Sequence, residues 1–160
     1  MSATLKQIFN NLQGEWKFKR IISNILENSL EKAEGEAAFS KDNMTDSYVF
    51  KYQEHGFLQL SSQQKKIKFQ RKFIYKYTDA AIEVYFDDGI DKGSLFQKLS
   101  LDIDLNKLSG SKHLCKLDTY HSTYRFLSEK EFETCYCVDG PKKGYTITTH
   151  YQKIEKTANL

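Results

Sequence analysis

Apolar and polar residues alternate one by one along most of this chain, and the exception is its start. Residues 4–13 carry Leu5, Ile8, Phe9 and Leu12 at helical spacing behind Thr4, a residue type that caps helix N-termini, and Gly14 stops the run. From there the period is two. Trp16, Phe18, Arg20 and Ile22 alternate with Glu15, Lys17 and Lys19. A weaker strand lies near Gly35–Phe39, and Leu26–Lys32 before it suits a short helical turn. Tyr48, Phe50, Tyr52 and Glu54 share a face, after which His55-Gly56 reads as a turn into Phe57–Leu60. Phe69, Arg71, Phe73, Tyr75 and Tyr77 form the longest one-face series. Ile82, Val84 and Phe86 follow, ended by the turn signal Asp87-Asp88-Gly89. Further strands are predicted at 94–101, 111–126, 132–138 and 145–154. A loop from Asp139 to Gly144, which holds the only proline, joins the last two.

Short strands at regular spacing, without a second long helix, argue for an antiparallel all-β fold of eight to ten strands. A barrel is favoured because closure removes exposed strand edges. The short N-terminal helix is placed to cap one end, with Trp16 buried near it. No linker, repeat or low-complexity segment divides the chain, so residues 1–160 are expected to form a single domain.

Composition narrows the possibilities. Aromatic residues make up 14% of the 160 positions, and Tyr and Phe suit half-buried pleated surfaces. The net charge of +3 is too small to imply nucleic acid. The densest basic run, Lys65-Lys66-Ile67-Lys68, reads as a solvated strand edge. No segment reaches the about 18 apolar residues of a membrane helix, and none at the N-terminus reads as a signal peptide. The expectation is a cytoplasmic protein with no membrane or nucleic-acid partner. Its three cysteines, Cys115, Cys135 and Cys137, are an odd set and read as reduced thiols. Cys135 and Cys137 are best taken as small buried hydrophobes. No metal and no cofactor is expected.

Chemistry concentrates in His113-Leu114-Cys115-Lys116-Leu117-Asp118-Thr119-Tyr120. On one unbroken strand His113 and Asp118 would differ in parity, so both could face inward only across a bulge or bend. Cys115 and His113, two apart on a strand, would point the same way in parallel, a poor nucleophile–base geometry. Charges also stand amid aromatic faces: Arg20 beside Trp16 and Phe18, Glu54 beside Tyr52, Arg71 between Phe69 and Phe73. Such charges need partners when buried. Arg20 or Arg71 could pair with Glu54, and Asp118 could join them. This is either a polar ligand site or an internal network closing the barrel, with an arginine over Trp16.

Several segments carry a resemblance. Leu12-x-Gly14-x-Trp16 with Arg20 resembles the opening of calycin-type barrels: lipocalins, fatty-acid-binding proteins and nitrobindin-like proteins. Gly35-x-Ala37-x-Phe39, Tyr52-x-Glu54-x-Gly56, Arg71 with Tyr75, Val84-x-Phe86-x-Asp88-Gly89, His113-x-Cys115-x-x-Asp118-x-Tyr120 and Gly140-Pro141-x-Lys143-x-Tyr145-x-Ile147-x-Thr149-x-Tyr151 resemble the domain-of-unknown-function family 6314. The chain departs from that pattern at Gln97, where a histidine is expected after Phe96, and at Tyr136, where a tryptophan is expected. The resemblance implies a calycin-like barrel of unassigned activity. The nitrobindin-like likeness suggests haem through one histidine, but no two histidines share a strand face at short spacing. The expected site gathers Arg20, Glu54, Arg71, His113, Asp118 and Tyr120, with Tyr52, Tyr75 and Tyr145 nearby. The expected function is binding of a small anionic or amphipathic molecule. The alternative is a hydrolase or isomerase using Glu54 or Asp118 as general base.

Overall fold

The computed structural model describes residues 3–43, 45–60, 65–102, 105–115 and 118–155; for Asn43 and residues 111–115 it describes the backbone. Helix α1 spans Leu5–Leu12. Thr4 caps it: its hydroxyl accepts from the Gln7 backbone N–H at 3.1 Å, and the Gln7 side chain accepts from the Thr4 N–H at 2.8 Å. Ile8, Phe9 and Leu12 form its buried stripe. Gly14 follows with φ +130°, a conformation L residues avoid, and the chain turns straight into a strand.

Ten strands follow: β1 (Gly14–Asn24), β2 (Ser29–Asn43), β3 (Asp46–Gln59), β4 (Lys66–Tyr77), β5 (Ile82–Phe86), β6 (Leu95–Asp102), β7 (Lys107–Cys115), β8 (Asp118–Ser128), β9 (Glu131–Gly140) and β10 (Lys143–Lys153). Each pairs antiparallel with the next, and β1 closes on β10 in a register that sets Trp16 opposite Lys153 and Arg20 opposite Thr149. The result is a closed up-and-down barrel without free sheet edges. Outward positions of β1 and β3 carry Glu15, Lys17, Lys19, Lys51, Gln53 and His55, all exposed, the reverse of the apolar outer band of a membrane barrel. Among the described residues no helix is long and apolar enough to cross a membrane.

Helix α1 plugs one end. Phe9 stacks flat on Phe50 of β3, with ring centroids 4.4 Å apart, and tilts against Tyr77 of β4. Trp16, 1% exposed, donates its indole N–H to the Leu12 carbonyl at 2.9 Å and meets Phe132 edge-on. The ring under a cation is also not as expected: Lys153 lies over Trp16, while Arg20 lies over Phe18 and Arg71 over Phe73.

Three local expectations are corrected. Leu26–Lys32 is not helical: residues 25–28 make the β1–β2 turn and β2 begins at Ser29. The left-handed Asn28 (φ +50°) completes that turn. His55-Gly56 is not a turn but part of unbroken β3. Gly56 sits opposite Gly35 of β2, and a Cβ on either would fall about 2 Å from a carbonyl oxygen of the other strand. These glycines let two backbones press together. The stretch 111–126 is not one strand: it is the β7–β8 hairpin, in which His113 pairs with Tyr120 and Cys115 with Asp118. Cys135 and Cys137 are free thiols, and they sit half-buried rather than in the core, at positions alternating with the inward Thr134, Tyr136 and Val138. The side chain of Cys115 lies outside the described residues.

Candidate functional site

The end opposite α1 is hollow. A cavity of about 330 Å³ opens there, lined from β1, β3, β4, β5, β6, β8, β9 and β10. Its floor is polar. Arg20 faces inward from β1 opposite Ala33 of β2, and the small inward residues Ala33, Gly35 and Ala37 leave its side chain room to cross β2. It reaches Glu54 on β3 with both terminal nitrogens, at 2.6 and 2.8 Å, while its Nε donates to Thr149 at 2.8 Å. Glu54 is 3% exposed and also accepts from the Tyr52 hydroxyl at 2.5 Å. Tyr52 and Tyr151 hydroxyls meet at 3.0 Å. Beside this group Tyr75 bonds to Tyr124 at 2.6 Å, and Tyr124 to Tyr136.

The electrostatics follow from burial. Desolvation alone would lower the Arg20 pKa, but the hydrogen bonds to Glu54 and the charge of that carboxylate outweigh it and hold the guanidinium firmly protonated. Desolvation pushes the phenols of Tyr52, Tyr75, Tyr124, Tyr136 and Tyr151 above their ordinary value, so all five stay neutral. Arg20 and Glu54 cancel, and the floor carries no net charge.

The walls are aromatic and aliphatic: Phe73, Phe86, Phe96, Val138 and Ile147. Phe96 enters through a β-bulge. Tyr85 pairs with Leu95 and Val84 with Gln97, so Phe96 is the extra residue and both it and Gln97 turn inward. Phe96 stacks on Tyr136 at 5.4 Å. Gln97 accepts from the Ser122 hydroxyl at 2.7 Å and fills the space in front of Gly110, where a Cβ would lie 2.0 Å from its Oε1. Its Nε2 is buried without a hydrogen-bond partner among the described residues.

The rim is charged. Arg71 lines the mouth, 48% exposed, with Nε 3.3 Å from Asp88 of the β5–β6 loop. Lys143 lines the mouth from β10, 3.1 Å from Asp118. The hydrogen bond to Asp118 raises the Lys143 pKa.

Of the residues expected to converge, Arg20, Tyr52, Glu54, Arg71, Tyr75, Tyr120 and Tyr145 line one cavity. Arg71 stands at its rim rather than inside. It is the cross-strand partner of Glu54, yet Arg20 takes that carboxylate, because Arg20 is the more buried cation and needs it more. Asp118 does not join the interior. It opens β8 at the hairpin end, packs over Gly140 and turns its carboxylate to Lys143. His113 pairs with Tyr120 along the backbone, and its side chain lies outside the described residues. Among the lining residues missed from the expected site were Tyr124, Thr134, Tyr136, Lys143, Thr149 and Tyr151. The alternation of Thr134-x-Tyr136-x-Val138 and Tyr145-x-Ile147-x-Thr149-x-Tyr151 carried the needed signal. Phe96 had no such signal, because a bulge breaks parity.

Known proteins match the fold. The S-type phycobiliprotein lyase CPES of Guillardia theta is similar over 99% of this chain and 95% of its own, at 12% identity and a TM-score of 0.65. The protein Rv2717c of M. tuberculosis covers 97% of this chain and 100% of its own, at 11% identity and 0.62. A protein of unknown function from the DUF3598 family of Nostoc punctiforme matches 91% of this chain with 49% of its own, at 10% identity and 0.57. At such identities the likeness is one of fold. None of the curated proteins matches the chain. The family of unknown function DUF6314 matches residues 12–153, the whole barrel from the end of α1 to the last residue of β10, and this chain belongs to that family.

Proposed function

We propose that this protein is a small-molecule binding protein whose ligand, a small amphipathic molecule, sits in the open end of the barrel. The observation that carries this reading is the cavity itself. A barrel built only for stability would fill its interior with side chains. Here about 330 Å³ is left open to solvent between aromatic walls and a floor of phenols, at the small end of ligand-pocket sizes. A molecule of a few rings suits that space.

Binding is favoured over catalysis by the state of the carboxylates. Both Glu54 oxygens are engaged, by Arg20 and Tyr52, and Asp118 is engaged by Lys143 at the rim. To act as a general base Glu54 would have to give up its ion pair and strand the buried Arg20 charge, which disfavours that role. The test is fluorescence titration with the neutral probe N-phenyl-1-naphthylamine, which brightens in apolar surroundings. One saturable site per chain is expected, and Ile147→Trp, which fills the cavity from β10, should abolish it. Unchanged probe binding by a folded Ile147→Trp variant would refute the reading.

A further inference from the structure

We propose that the cavity selects organic anions and holds them with the charge outward: an uncharged ring body inside, and a carboxylate, sulfonate or phosphate group at the mouth, read by Arg71 and Lys143. This inference rests on the cavity being a binding site and adds the class and orientation of what enters it.

The interior is closed to a charged group. The buried cation, Arg20, already gives both terminal nitrogens to Glu54 and its Nε to Thr149. An anion pushed to the floor would compete with Glu54 for that guanidinium and would lose its own hydration. The phenols around it remain neutral, so they offer hydrogen bonds suited to a hydroxyl or carbonyl oxygen and no compensating charge.

The mouth differs in each respect. Arg71 spends only its Nε on Asp88, at 3.3 Å, and its two terminal nitrogens have no partner among the described residues. A guanidinium with both terminal nitrogens free can grip an oxyanion in bidentate fashion. Its flat face is already held over Phe73, centroid 5.1 Å away, so it is oriented without a ligand. Lys143 stands on the β10 side of the same mouth beside Tyr120 and Tyr145. Both cations are themselves about half exposed, and the Arg71–Asp88 bridge stands partly in water, the kind that contributes little and exchanges readily. An arriving oxyanion can therefore take the free terminal nitrogens of Arg71 and the exposed side of Lys143 at small cost, while its ring body covers Phe86 and Phe96.

The experiment compares two probes that share one ring skeleton, neutral N-phenyl-1-naphthylamine and its sulfonate, 1-anilinonaphthalene-8-sulfonate, titrated into the full chain at low salt. The sulfonate should bind about tenfold more tightly, the worth of one favourable charge contact. Arg71→Ala with Lys143→Ala should erase that preference and leave the neutral probe within about twofold of its original affinity. Lys17→Ala, an exposed outward lysine on β1, should change neither. Equal affinity for the two probes, or a preference that survives the double substitution, would overturn the inference while leaving the cavity a binding site. Failure of the neutral probe as well would bring down the binding reading itself.

Discussion

The two ends of this barrel are built on the same strands and the same inward–outward alternation, yet one is solid and the other hollow. At the α1 end the inward positions are large: Phe9, Leu12, Trp16, Phe50 and Phe132 interlock, each 2% exposed or less. Toward the open end β2 and β3 carry Ala33, Gly35 and Gly56 at inward positions, so this side of the barrel supplies little side-chain volume. The other side supplies a ring of aromatics. Between the two ends lies a polar layer of Arg20, Glu54 and hydrogen-bonded tyrosines. Side-chain size at a few inward positions, not topology, therefore decides which end can hold a ligand, and the polar layer seals the core from the space above it.

The strongest test of that seal is alkaline pH. Tyr52, Tyr75, Tyr124 and Tyr151 are buried, and burial raises each pKa above the ordinary phenol value of about 10. A raised folded pKa contributes stability that is complete below the unfolded value and is lost as pH climbs toward the folded one. Each phenol should steepen the decline above pH 10 by about 1.4 kcal/mol per pH unit. In an ultraviolet titration these four tyrosinates should appear only together with the loss of near-ultraviolet circular dichroism. Smooth titration of all ten tyrosines near 10 in a folded chain would show that the layer is open.

Substitutions separate the two ends directly. Trp16→Ala at the solid end should cost about 3–5 kcal/mol, since it leaves a closed void and an unused Leu12 carbonyl. Phe86→Ala, half-buried at the mouth of the existing cavity, should cost less than half of that, because water already reaches the space it vacates. Urea melts of both variants measure the contrast, and equal losses would erase it. In the layer itself, Arg20→Ala strands a buried carboxylate and should cost about 3–5 kcal/mol, whereas Arg20→Met with Glu54→Leu should recover most of the loss. A double variant as unstable as Arg20→Ala would mean that the pair is worth more than the burial of its charges costs. The smallest effect is expected at the plug: Thr4→Ala removes the α1 cap for about 1 kcal/mol and should leave probe binding intact.

Much of this was legible in the one-dimensional pattern. Period-two alternation is a direct image of the pleat, so the antiparallel barrel, its short N-terminal helix and the buried Trp16 could be read from apolar spacing. The same parity placed Arg20, Tyr52, Glu54, Arg71 and Tyr75 around one enclosed space, because residues sharing a face with aromatics follow them inward, while Tyr120 and Tyr145 were expected there from the family resemblance. What parity leaves open is depth, partner and break points. Arg71 shares a face with Phe73 and stands opposite Glu54 in the middle of β4, yet its long side chain turns to the mouth and reaches water and Asp88 rather than Glu54. The segment from His113 to Tyr120 reverses direction at a hairpin, which carries Asp118 to Lys143, a residue 25 positions further along the chain. Phe96 and Gln97 both turn inward only because a bulge inserts one residue between β5 and β6. Alternation is a local property of the backbone and is written in the sequence. Which cation wins a shared carboxylate, and whether the inward side chains fill the space they enclose, depend on distances between strands remote in sequence. Closing the barrel set those distances.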